Sequence, residues 1–270
     1  MSKTQHGVAL ITGASSGIGL ATARALQRDG YRVFGTSRKQ VADVQGITML
    51  VCDVTDEESV AKAVDEVVRL TGRIDLLVNN AGIGLLGGAE ESSAVQARAL
   101  FDVNVFGVLR VTNTVLPIMR RQRKGRIINM SSILGLIPAP YNALYASTKH
   151  AIEGYSESLD HEIRTQGIRV VLVEPGATRT SFEENLTRAD QPMPLYDTVR
   201  ADAERLMREI VEAGDTPEMV ADVVVTAANA FSPKRRYTVG KVAGQVHFLR
   251  RFLPESFVDK NLRKYNKLPA

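Results

Sequence analysis

The stretch "VALITGASSGIG" (residues 8–19) joins a short apolar run to three glycines spaced G-x-x-x-G-x-G. Its first five residues predict a β-strand, and a helical pattern follows from about Ile18 to Asp29. A glycine-rich turn between a strand and a helix N-terminus lets backbone N–H groups approach a pyrophosphate. A purely structural turn is the alternative, but this setting favours nucleotide binding. The predicted phosphate-binding residues are Gly13, Ser15, Ser16, Gly17, Ile18 and Gly19.

The second and third apolar runs indicate which nucleotide would bind. The second ends in Thr36-Ser37-Arg38-Lys39, where NAD-binding proteins place an acid for the ribose hydroxyls. Two cations without a carboxylate favour a 2′-phosphate, and thus NADP(H), through Arg38. The alternative is that Arg38 is a solvated loop charge. Asp53, followed by Val54, ends the third run, where its carboxylate can accept a hydrogen bond from the adenine amino group.

Apolar runs alternate with helical patterns along most of the chain. The predicted strands lie at 8–12, 32–37, 47–53, 75–81, 125–132 and 169–175, and the predicted helices at about 18–29, 56–70, 93–121 and 142–167. The strands are continuous and rich in Val, Ile and Leu, which is typical of a parallel sheet buried on both faces. The alternation predicts an α/β, doubly wound Rossmann-type fold with helices on both faces, formed by residues 1–270 as one domain.

Composition excludes several classes of protein. Cys52 is the only cysteine among 270 residues, so an intrachain disulfide is impossible and a reducing, cytoplasmic location is expected. The N-terminus lacks a signal-peptide pattern, and no uncharged apolar run approaches the ~20 residues that span a bilayer. The net charge is +4, of which residues 241–270 contribute +5 and the rest −1, which does not favour nucleic-acid binding. The four histidines are scattered without metal-ligand spacing, so no metal is predicted.

The stretch "YNALYASTKHAIEGYSE" (residues 141–157) contains Tyr145 with Lys149 four residues later. On a helix this spacing places both side chains on one face. A nearby ammonium lowers the pKa of a phenol from about 10, which would let Tyr145 act as a general acid or base. The pair is also common on helices by chance, and a polar spot on a helix surface is the alternative.

Taken in order, these motifs resemble those of the short-chain dehydrogenases/reductases. The resemblance covers about residues 7–180, and all its motifs occur at the intervals expected for the family. They are TGASSGIG at 12–19, CDV at 52–54, NNAG at 79–82, Asn104, MSS at 130–132, YASTK at 145–149 and PG at 175–176. The resemblance implies a hydride transfer between a nicotinamide and a carbonyl or alcohol, with Tyr145 and Lys149 in the chemistry.

The resemblance also implies a role for each matching residue. Tyr145 exchanges a proton with the substrate oxygen, while Lys149 binds the nicotinamide ribose and lowers the pKa of Tyr145. Ser132 hydrogen-bonds the substrate oxygen, and Asn104 holds a water that links the lysine to solvent. The remaining implied cofactor contacts are Asn80, Ala81 and Gly82 for the ribose and Pro175, Gly176, Thr178 and Thr180 for the nicotinamide. Many NADP-dependent members carry a basic residue where this chain has Ser16, so the NADP(H) preference rests mainly on Arg38.

The substrate is predicted to be an apolar ketone or secondary alcohol. The family places a substrate lid after the sixth strand, here residues 179–215, which mix apolar residues with two prolines. Residues 133–141 near the site are almost uncharged, and Arg179 is the only obvious cation for a charged substrate. Chain length and the C-terminal extension are similar to the hydroxysteroid and retinol dehydrogenase branch.

Other functions and assemblies remain open at this point. An epimerase or lyase would need a longer substrate domain, and a catalytically silent NADP(H)-binding regulatory protein would typically have lost the tyrosine or the lysine. The long helix near 93–121 and the tyrosine helix form subunit interfaces in many relatives. Apolar positions such as Val103, Phe106, Leu109 and Val115, and Ile152, Tyr155 and Leu159, predict a homodimer or homotetramer unless they only cover the sheet.

The C-terminal extension, residues 241–270, combines cations with an apolar stripe. Phe248, Phe252, Phe257 and Leu262 recur every four or five residues, and Pro254 interrupts the helical pattern. A basic amphipathic helix can lie on an anionic membrane surface. Packing of the stripe on the protein near the lid is the alternative that we favour from the sequence, because the stripe is short and broken by proline.

Overall fold

A computed structural model of the protein describes residues 6–44, 46–180 and 186–266, apart from the side chain of Arg251. Its centre is a seven-stranded parallel sheet with the strand order β3-β2-β1-β4-β6-β7-β9. These strands are β1 (Gly7–Ile11), β2 (Tyr31–Ser37), β3 (Ile47–Val51), β4 (Leu76–Asn79), β6 (Gly125–Met130), β7 (Ile168–Glu174) and β9 (Arg236–Thr238). Two further short strands, β5 (Leu85–Leu86) and β8 (Thr187–Arg188), pair separately. Strands from both ends of the chain join one sheet, which supports the proposal of a single domain.

Helices cover both faces of the sheet, as the sequence predicts. They are α1 (Gly17–Arg28), α2 (Glu57–Thr71), α3 (Ala94–Phe101), α4 (Gly107–Gln122), α5 (Ala143–Ile163), α6 (Asp197–Glu212), α7 (Pro217–Asn229), α8 (Gly240–Phe252) and α9 (Glu255–Tyr265). Buried residues of α1 and α7 form the core on one face, and those of α2, α4 and α5 form the core on the other. The strand order reverses between β1 and β4, which in such sheets creates a ligand-binding crevice at the carboxyl ends of the strands.

The helix predicted over 93–121 is interrupted. A π-helical segment, Asp102–Phe106, separates α3 from α4, so the backbone gains an extra residue in that turn. The whole run, Ala94–Gln122, is long and apolar enough to cross a membrane, but half of its apolar window is buried. Its contacts with β4, β6 and α2 are those of a core helix.

Three short strands lie outside the sequence prediction. The three residues of β9 include two of polar or charged character next to a basic loop, so no apolar run marks it. Strands β5 and β8 have two residues each, and they pair the loop after β4 with the predicted lid. Of that lid, residues 181–185 lie outside the described part, and the rest contains β8, a turn at Pro194–Tyr196 and α6.

Candidate active site

The glycine loop is held against the end of β4 by close backbone packing. Gly13 has a φ of 65°, and a Cβ there would lie 2.9 Å from the Ala81 Cα. A Cβ at Gly19 would overlap the Gly13 carbonyl oxygen and lie 2.5 Å from Asn80 Nδ2. Asn80 Nδ2 donates to the carbonyl oxygens of Thr12 and Gly13, each at 3.0 Å. Both glycines are therefore required by the way the loop folds, which confirms the predicted turn.

The loop presents the N-terminus of α1 to the cleft. Ser16 is the N-cap residue of α1 and has an extended backbone conformation. Its hydroxyl makes no capping hydrogen bond to the described first turn of the helix. The first turn of α1 holds no acidic residue, so its positive end is not neutralised by the helix itself. Thr180 lies on the opposite side, because a Cβ at Gly17 would contact its Cβ and Cγ2 at 3.4 Å. This geometry fits a pyrophosphate, which helix N-termini bind through their free N–H groups.

The ends of β2 and β3 form the next part of the cleft. Arg38 is exposed and lines the cleft together with Asp53 and Val54. Asp53 Oδ1 accepts hydrogen bonds from the backbone N–H of Thr55 at 2.9 Å and from its hydroxyl at 2.8 Å. The Thr55 N–H lowers the pKa of Asp53 most, and the positive charge of Arg38 lowers it further. Arg38 therefore lies near the position where the sequence predicts the adenosine ribose.

Three of the predicted catalytic side chains meet at the carboxyl ends of β6 and β7. Ser132 hydrogen-bonds Tyr145, and its Oγ also accepts from the Leu134 backbone N–H at 3.1 Å. Lys149 Nζ lies 5.6 Å from the centroid of the Tyr145 ring and donates to the Met130 carbonyl oxygen at 2.8 Å. The α5 helix is fixed below this site, where Asn129 Nδ2 donates to Ser156 Oγ at 2.8 Å. Sequence spacing alone thus predicted which tyrosine meets a lysine.

The acidities of this pair differ from the sequence expectation. We expected Lys149 to lower the pKa of Tyr145, but burial raises that pKa, and the hydrogen bond from Ser132 opposes the rise only in part. Burial lowers the pKa of Lys149 to about 8, against the opposing charge of Glu153. The reason is that the protein shields both groups from part of the solvent, and desolvation penalises each charged form. The raised pKa of Tyr145 favours the protonated phenol, which is the form that can donate a proton.

Asn104 lies behind the cleft, inside the π-helical segment. It is buried, with 2% of its surface exposed. Its Oδ1 accepts from the Ile83 N–H at 2.9 Å, and its Nδ2 donates to the Ile83 carbonyl oxygen at 2.8 Å. The Nδ2 also reaches Thr148 Oγ1 at 3.3 Å, next to Lys149 in sequence. Asn104 therefore ties the loop after β4 to the catalytic helix, a contact that the sequence did not indicate.

The predicted site residues line one continuous cleft of about 2590 Å³. With the exception of Asn104, every predicted catalytic and cofactor-binding residue lines it. These are Gly13, Ser15, Ser16, Gly17, Ile18, Gly19, Arg38, Asp53, Val54, Asn80, Ala81, Gly82, Ser132, Tyr145, Lys149, Pro175, Gly176, Thr178 and Thr180. Residues far apart in sequence thus meet at one place, beside an open helix N-terminus.

The far part of the cleft is built from α6, α8 and α9. Its apolar lining includes Leu206 and Ile210 of α6 and Leu249, Phe257 and Leu262 of the C-terminal helices. This part adjoins the predicted near-site stretch, of which Ile133, Leu134, Ile137, Pro138, Pro140 and Tyr141 line the cleft. The structure therefore places an apolar compartment beside the catalytic residues.

Arg179, the only obvious cation that the sequence offered for a charged substrate, does not line the described cleft. Its side chain is exposed, and its backbone N–H donates to the Asp215 carbonyl oxygen at 2.9 Å. In the far part of the cleft the described lining instead contains the cations Arg205, Lys241, Arg250 and Lys264. They come from α6, α8 and α9, whose positions relative to the site cannot be inferred from sequence spacing.

A buried carboxylate fastens the lid to the body of the protein. Glu91, with 0% of its surface exposed, accepts from the backbone N–H groups of Gly88 and Met193, each at 2.8 Å. Arg200 of α6 forms an ion pair with the same carboxylate. The Tyr141 and Tyr196 rings meet edge to face at 6.4 Å. This contact could not be predicted from the sequence, because Glu91 and Arg200 are 109 residues apart.

A second buried acidic group lies at the carboxyl end of β7. Arg236 of β9 pairs with Glu153 at 2.9 Å, with Glu157 at 2.6 Å and with Glu174 at 3.0 Å. Glu174 ends β7 directly before Pro175, and His247 of α8 lies 3.6 Å from its Oε2. Burial, followed by the charge of Glu153, raises the pKa of Glu174 to about 8. Arg236 thus forms ion pairs with three carboxylates. The raised pKa of Glu174 favours its protonated form.

We expect Glu174→Gln to change how stability depends on pH. The folded pKa of about 8 lies above 4.5, the ordinary pKa of a glutamate carboxyl, so the folded state binds more protons than the unfolded state between these values. Wild-type stability should therefore fall as pH rises through this window, by on the order of a few kcal/mol. Urea unfolding of the Glu174→Gln protein should show a flatter pH profile and higher stability at the alkaline end.

The matched control for that measurement is Glu58→Gln, whose side chain is 77% exposed on α2. It should follow the wild-type profile. If the stability of the wild type and of Glu174→Gln depended on pH in the same way, the prediction that buried Glu174 has a raised pKa in the folded state would be wrong.

Fold and site together define a class of protein. The sheet with a crevice at its strand reversal, the glycine loop at a helix N-terminus and the Ser-Tyr-Lys group are the parts of a dinucleotide-dependent oxidoreductase. A family described as "short chain dehydrogenase" matches residues 7–191. The chain belongs to the short-chain dehydrogenase/reductase family, which confirms the resemblance drawn from its motifs.

Curated relatives have related descriptions. The chain is 44% identical over 181 residues to the 3-ketodihydrosphingosine reductase of Bacteroides thetaiotaomicron, covering 67% of each protein. It is 37% identical over 252 residues to retinol dehydrogenase 8 of Bos taurus, covering 85% of this chain and 80% of that one. The likeness to the retinol dehydrogenase branch is therefore confirmed at the level of sequence similarity.

Solved structures share the fold over almost the whole chain. A short-chain dehydrogenase from Streptomyces avermitilis has a TM-score of 0.81 at 31% identity, covering 97% of this chain and 96% of that one. A Burkholderia phymatum family member in complex with NAD has a TM-score of 0.79 at 26% identity, covering 96% and 97%. ElxO with NADP bound has a TM-score of 0.72 at 28% identity, covering 87% and 97%. Structural neighbours thus include complexes with either nicotinamide cofactor, and they lend no support to the regulatory alternative.

Proposed function

We propose that the protein is an NADP(H)-dependent oxidoreductase that interconverts an apolar ketone and its secondary alcohol. The observation that carries the proposal is the half-buried contact of Ser132 with Tyr145, one helical turn before Lys149. It lies at the junction of the glycine-loop side and the apolar side of the cleft. A proton donor and a hydrogen-bonding hydroxyl at one point suit a carbonyl oxygen, which gains negative charge when the carbon is reduced.

The residues of the chain have separate tasks in this proposal. The pyrophosphate of the cofactor would lie at the N-terminus of α1, and its adenosine part near Asp53. When bound, the cofactor supplies or accepts the hydride. Ser132 orients the substrate oxygen, Tyr145 donates a proton to it during reduction, and Lys149 holds a positive charge one turn away. Partial burial of this group strengthens each of these interactions, because fewer water molecules compete for it.

The preference for NADP(H) rests on Arg38. A guanidinium can bind a 2′-phosphate by charge and forked hydrogen bonds, and Arg38 is exposed at the cleft without a salt bridge among the described ion pairs. We expect Ser37→Asp with Arg38→Leu to reverse the preference, by removing the counter-charge and adding an acceptor for ribose hydroxyls. A change of ~10–100-fold in the ratio of affinities corresponds to one lost charged contact.

Fluorescence titration with NADPH and NADH measures this change. Lys39→Leu is the matched control, since Lys39 is the adjacent exposed cation of the same loop and lines the same cleft. Equal binding of the two cofactors by the wild type, or an equal loss of NADPH binding in Lys39→Leu, would show that Arg38 does not determine the preference.

The proposed reaction is tested with a panel of carbonyl compounds and NADPH, followed at the nicotinamide absorbance band. The panel should pair apolar ketones with small charged ketoacids of similar reactivity. We expect turnover of the apolar members, because the compartment beside Tyr145 is lined by Ile133, Leu134 and Ile137. A protein that binds the cofactor but reduces none of the panel would revive the silent-binder alternative.

We also propose a homodimer or homotetramer formed through α3, α4 and α5. Val115, Ile152 and Leu159 are buried within the subunit, so those three predicted interface residues cover the sheet instead. Phe106 remains 49% exposed and Val95 71% exposed on the same side of the run. Light scattering at micromolar concentration should give a multiple of 29.5 kDa, and a single-subunit mass would reject the proposal.

A cytoplasmic location remains part of the proposal. Cys52 is buried, and burial raises the pKa of its thiol to about 11, so the thiolate that would react is disfavoured. Such a cysteine is compatible with a reducing compartment.

A further inference from the structure

The outer face of α8 exposes two aromatic rings. Phe248 is 59% exposed and Phe252 is 63% exposed, and their ring centroids are 4.8 Å apart. They lie one helical turn apart, and neither belongs to the cleft lining. Large apolar side chains that are exposed together on a basic segment mark an interaction surface more often than an ordinary solvated one. We call this pair with its neighbouring cations the α8 aromatic face.

The segment around this face is basic. The sequence of α8 contains Lys241, Arg250 and Arg251 and no carboxylate. The whole extension, residues 241–270, adds only two carboxylates and has a net charge of +5, whereas the preceding part of the chain sums to −1. An anionic surface is therefore the electrostatic complement of α8.

The same helix borders the apolar part of the cleft. Leu249 and Val242 line the cleft while 41% and 61% of their surfaces, respectively, are exposed. Phe257 of α9 likewise lines the cleft and is 50% exposed. The apolar compartment thus reaches the outer surface along α8 and α9, next to the α8 aromatic face.

The attachment of these helices to the body of the protein is light. None of the eleven described residues of α9 is buried, although six of them, between Phe257 and Tyr265, line the cleft. Packing beside the lid, which the sequence favoured, describes only the inward side of the extension. Its outward side carries the aromatic pair, and more than half of the surface of each of the two residues is exposed.

We propose that the α8 aromatic face docks on an anionic lipid surface, so that the open edge of the cleft faces the layer in which an apolar substrate dissolves. Phenylalanine rings enter the boundary between headgroups and acyl chains, while lysine and arginine remain at the anionic headgroups. Docking itself depends only on α8. Delivery of the substrate additionally rests on the proposed function.

The docking is tested by co-sedimentation of the full-length protein with vesicles. Vesicles of equal parts phosphatidylglycerol and phosphatidylcholine should bind the protein, and those of phosphatidylcholine alone should bind it at least ~10-fold less, as expected for a few charges near the surface. Raising the salt concentration should weaken the binding to anionic vesicles. Phe248→Ser with Phe252→Ser should lower it by ~10-fold or more through the lost apolar burial.

Phe231→Ser is the matched control, because Phe231 is fully exposed at 104% but follows α7, away from the extension. It should leave vesicle binding unchanged. Equal binding of the wild type and the double variant, or an equal loss in Phe231→Ser, would overturn the proposal. So would self-association of the wild type through α8 without any binding to vesicles, which would make this face an interface between copies.

The vesicle result is independent of catalysis. If no carbonyl compound is reduced but binding follows the aromatic pair, the proposed function fails and the docking stands. If a water-soluble ketone is reduced equally by the wild type and the double variant, while neither binds vesicles, the docking fails and the proposed function stands.

Discussion

Tyr145→Phe is expected to bind the nicotinamide cofactor as the wild type does and to lose nearly all turnover. The substitution removes one hydroxyl and leaves the aromatic ring, so the packing of α5 is kept. General acid–base catalysis contributes about 10²–10⁴-fold, and a loss in this range is the expected result. Because burial raises the pKa of Tyr145, the wild-type phenol should stay protonated at neutral pH, and the reduction should be fast there.

The opposite direction of the reaction has the opposite pH dependence. Oxidation of an alcohol needs a proton acceptor, and the raised pKa of Tyr145 makes its phenolate scarce at neutral pH. We therefore expect the oxidation rate of the wild type to increase with pH, and the increase to be absent in Tyr145→Phe. Steady-state rates in both directions over a range of pH test this expectation.

Tyr155→Phe provides the control for that experiment. Tyr155 lies on the same helix, is partly buried, and packs against the core below the site. Its loss of a hydroxyl should change stability more than turnover. Near wild-type turnover in Tyr145→Phe, or equal losses in the two variants, would show that the proton does not come from Tyr145.

The sequence was informative wherever function depends on residues close together in the chain. The glycine spacing requires a particular turn, and the four-residue spacing of Tyr145 and Lys149 requires one helix face. Continuous apolar runs revealed six of the seven strands of the main sheet, since strands buried on both faces cannot be polar. The missing strand, β9, has three residues and includes Arg236, which pairs with buried acids instead of with water.

Long-range contacts could not be predicted in the same way. Glu91 and Arg200 form the fastening of the lid, yet each alone reads as an ordinary surface charge in the sequence. The cations in the far part of the cleft come from α6, α8 and α9, whose packing depends on the whole fold. From the sequence, Arg179 is the only obvious cation for a charged substrate, and the structure places it outside the described cleft lining. The acidity of Tyr145 was misjudged for a related reason, because desolvation depends on burial and spacing does not report burial.

Lys149→Met is expected to lose both turnover and cofactor affinity while the protein remains folded. The ammonium lies 5.6 Å from the Tyr145 ring centroid, where its charge favours the phenolate that forms as the proton leaves. It would also be the hydrogen-bond donor for the nicotinamide ribose, so the Kd for NADPH should rise as well. We expect a loss of turnover of ~10²-fold or more and a weaker Kd by ~10-fold, typical of a charged contact in a buried site.

Stability separates this prediction from simple damage to the fold. The folded pKa of about 8 is below 10.5, the ordinary pKa of a lysine ammonium, so the folded state binds fewer protons than the unfolded state between these values. Wild-type stability should therefore rise with pH across that window, and below it the buried charge costs on the order of a few kcal/mol. Lys149→Met removes that cost and leaves only the Met130 carbonyl oxygen without its donor. Urea unfolding near neutral pH should consequently show equal or higher stability.

The combination of lost activity with retained or increased stability is what identifies a lysine kept for function at the expense of the fold. Lys62→Met, on a side chain that is 74% exposed on α2, is the control and should change neither property. A destabilised Lys149→Met protein with unchanged cofactor affinity would indicate a structural lysine whose main partner is Met130. If Lys149→Met kept both its cofactor affinity and its turnover, Lys149 would have no role in cofactor binding or catalysis. The four-residue spacing from Tyr145 would then have no functional meaning.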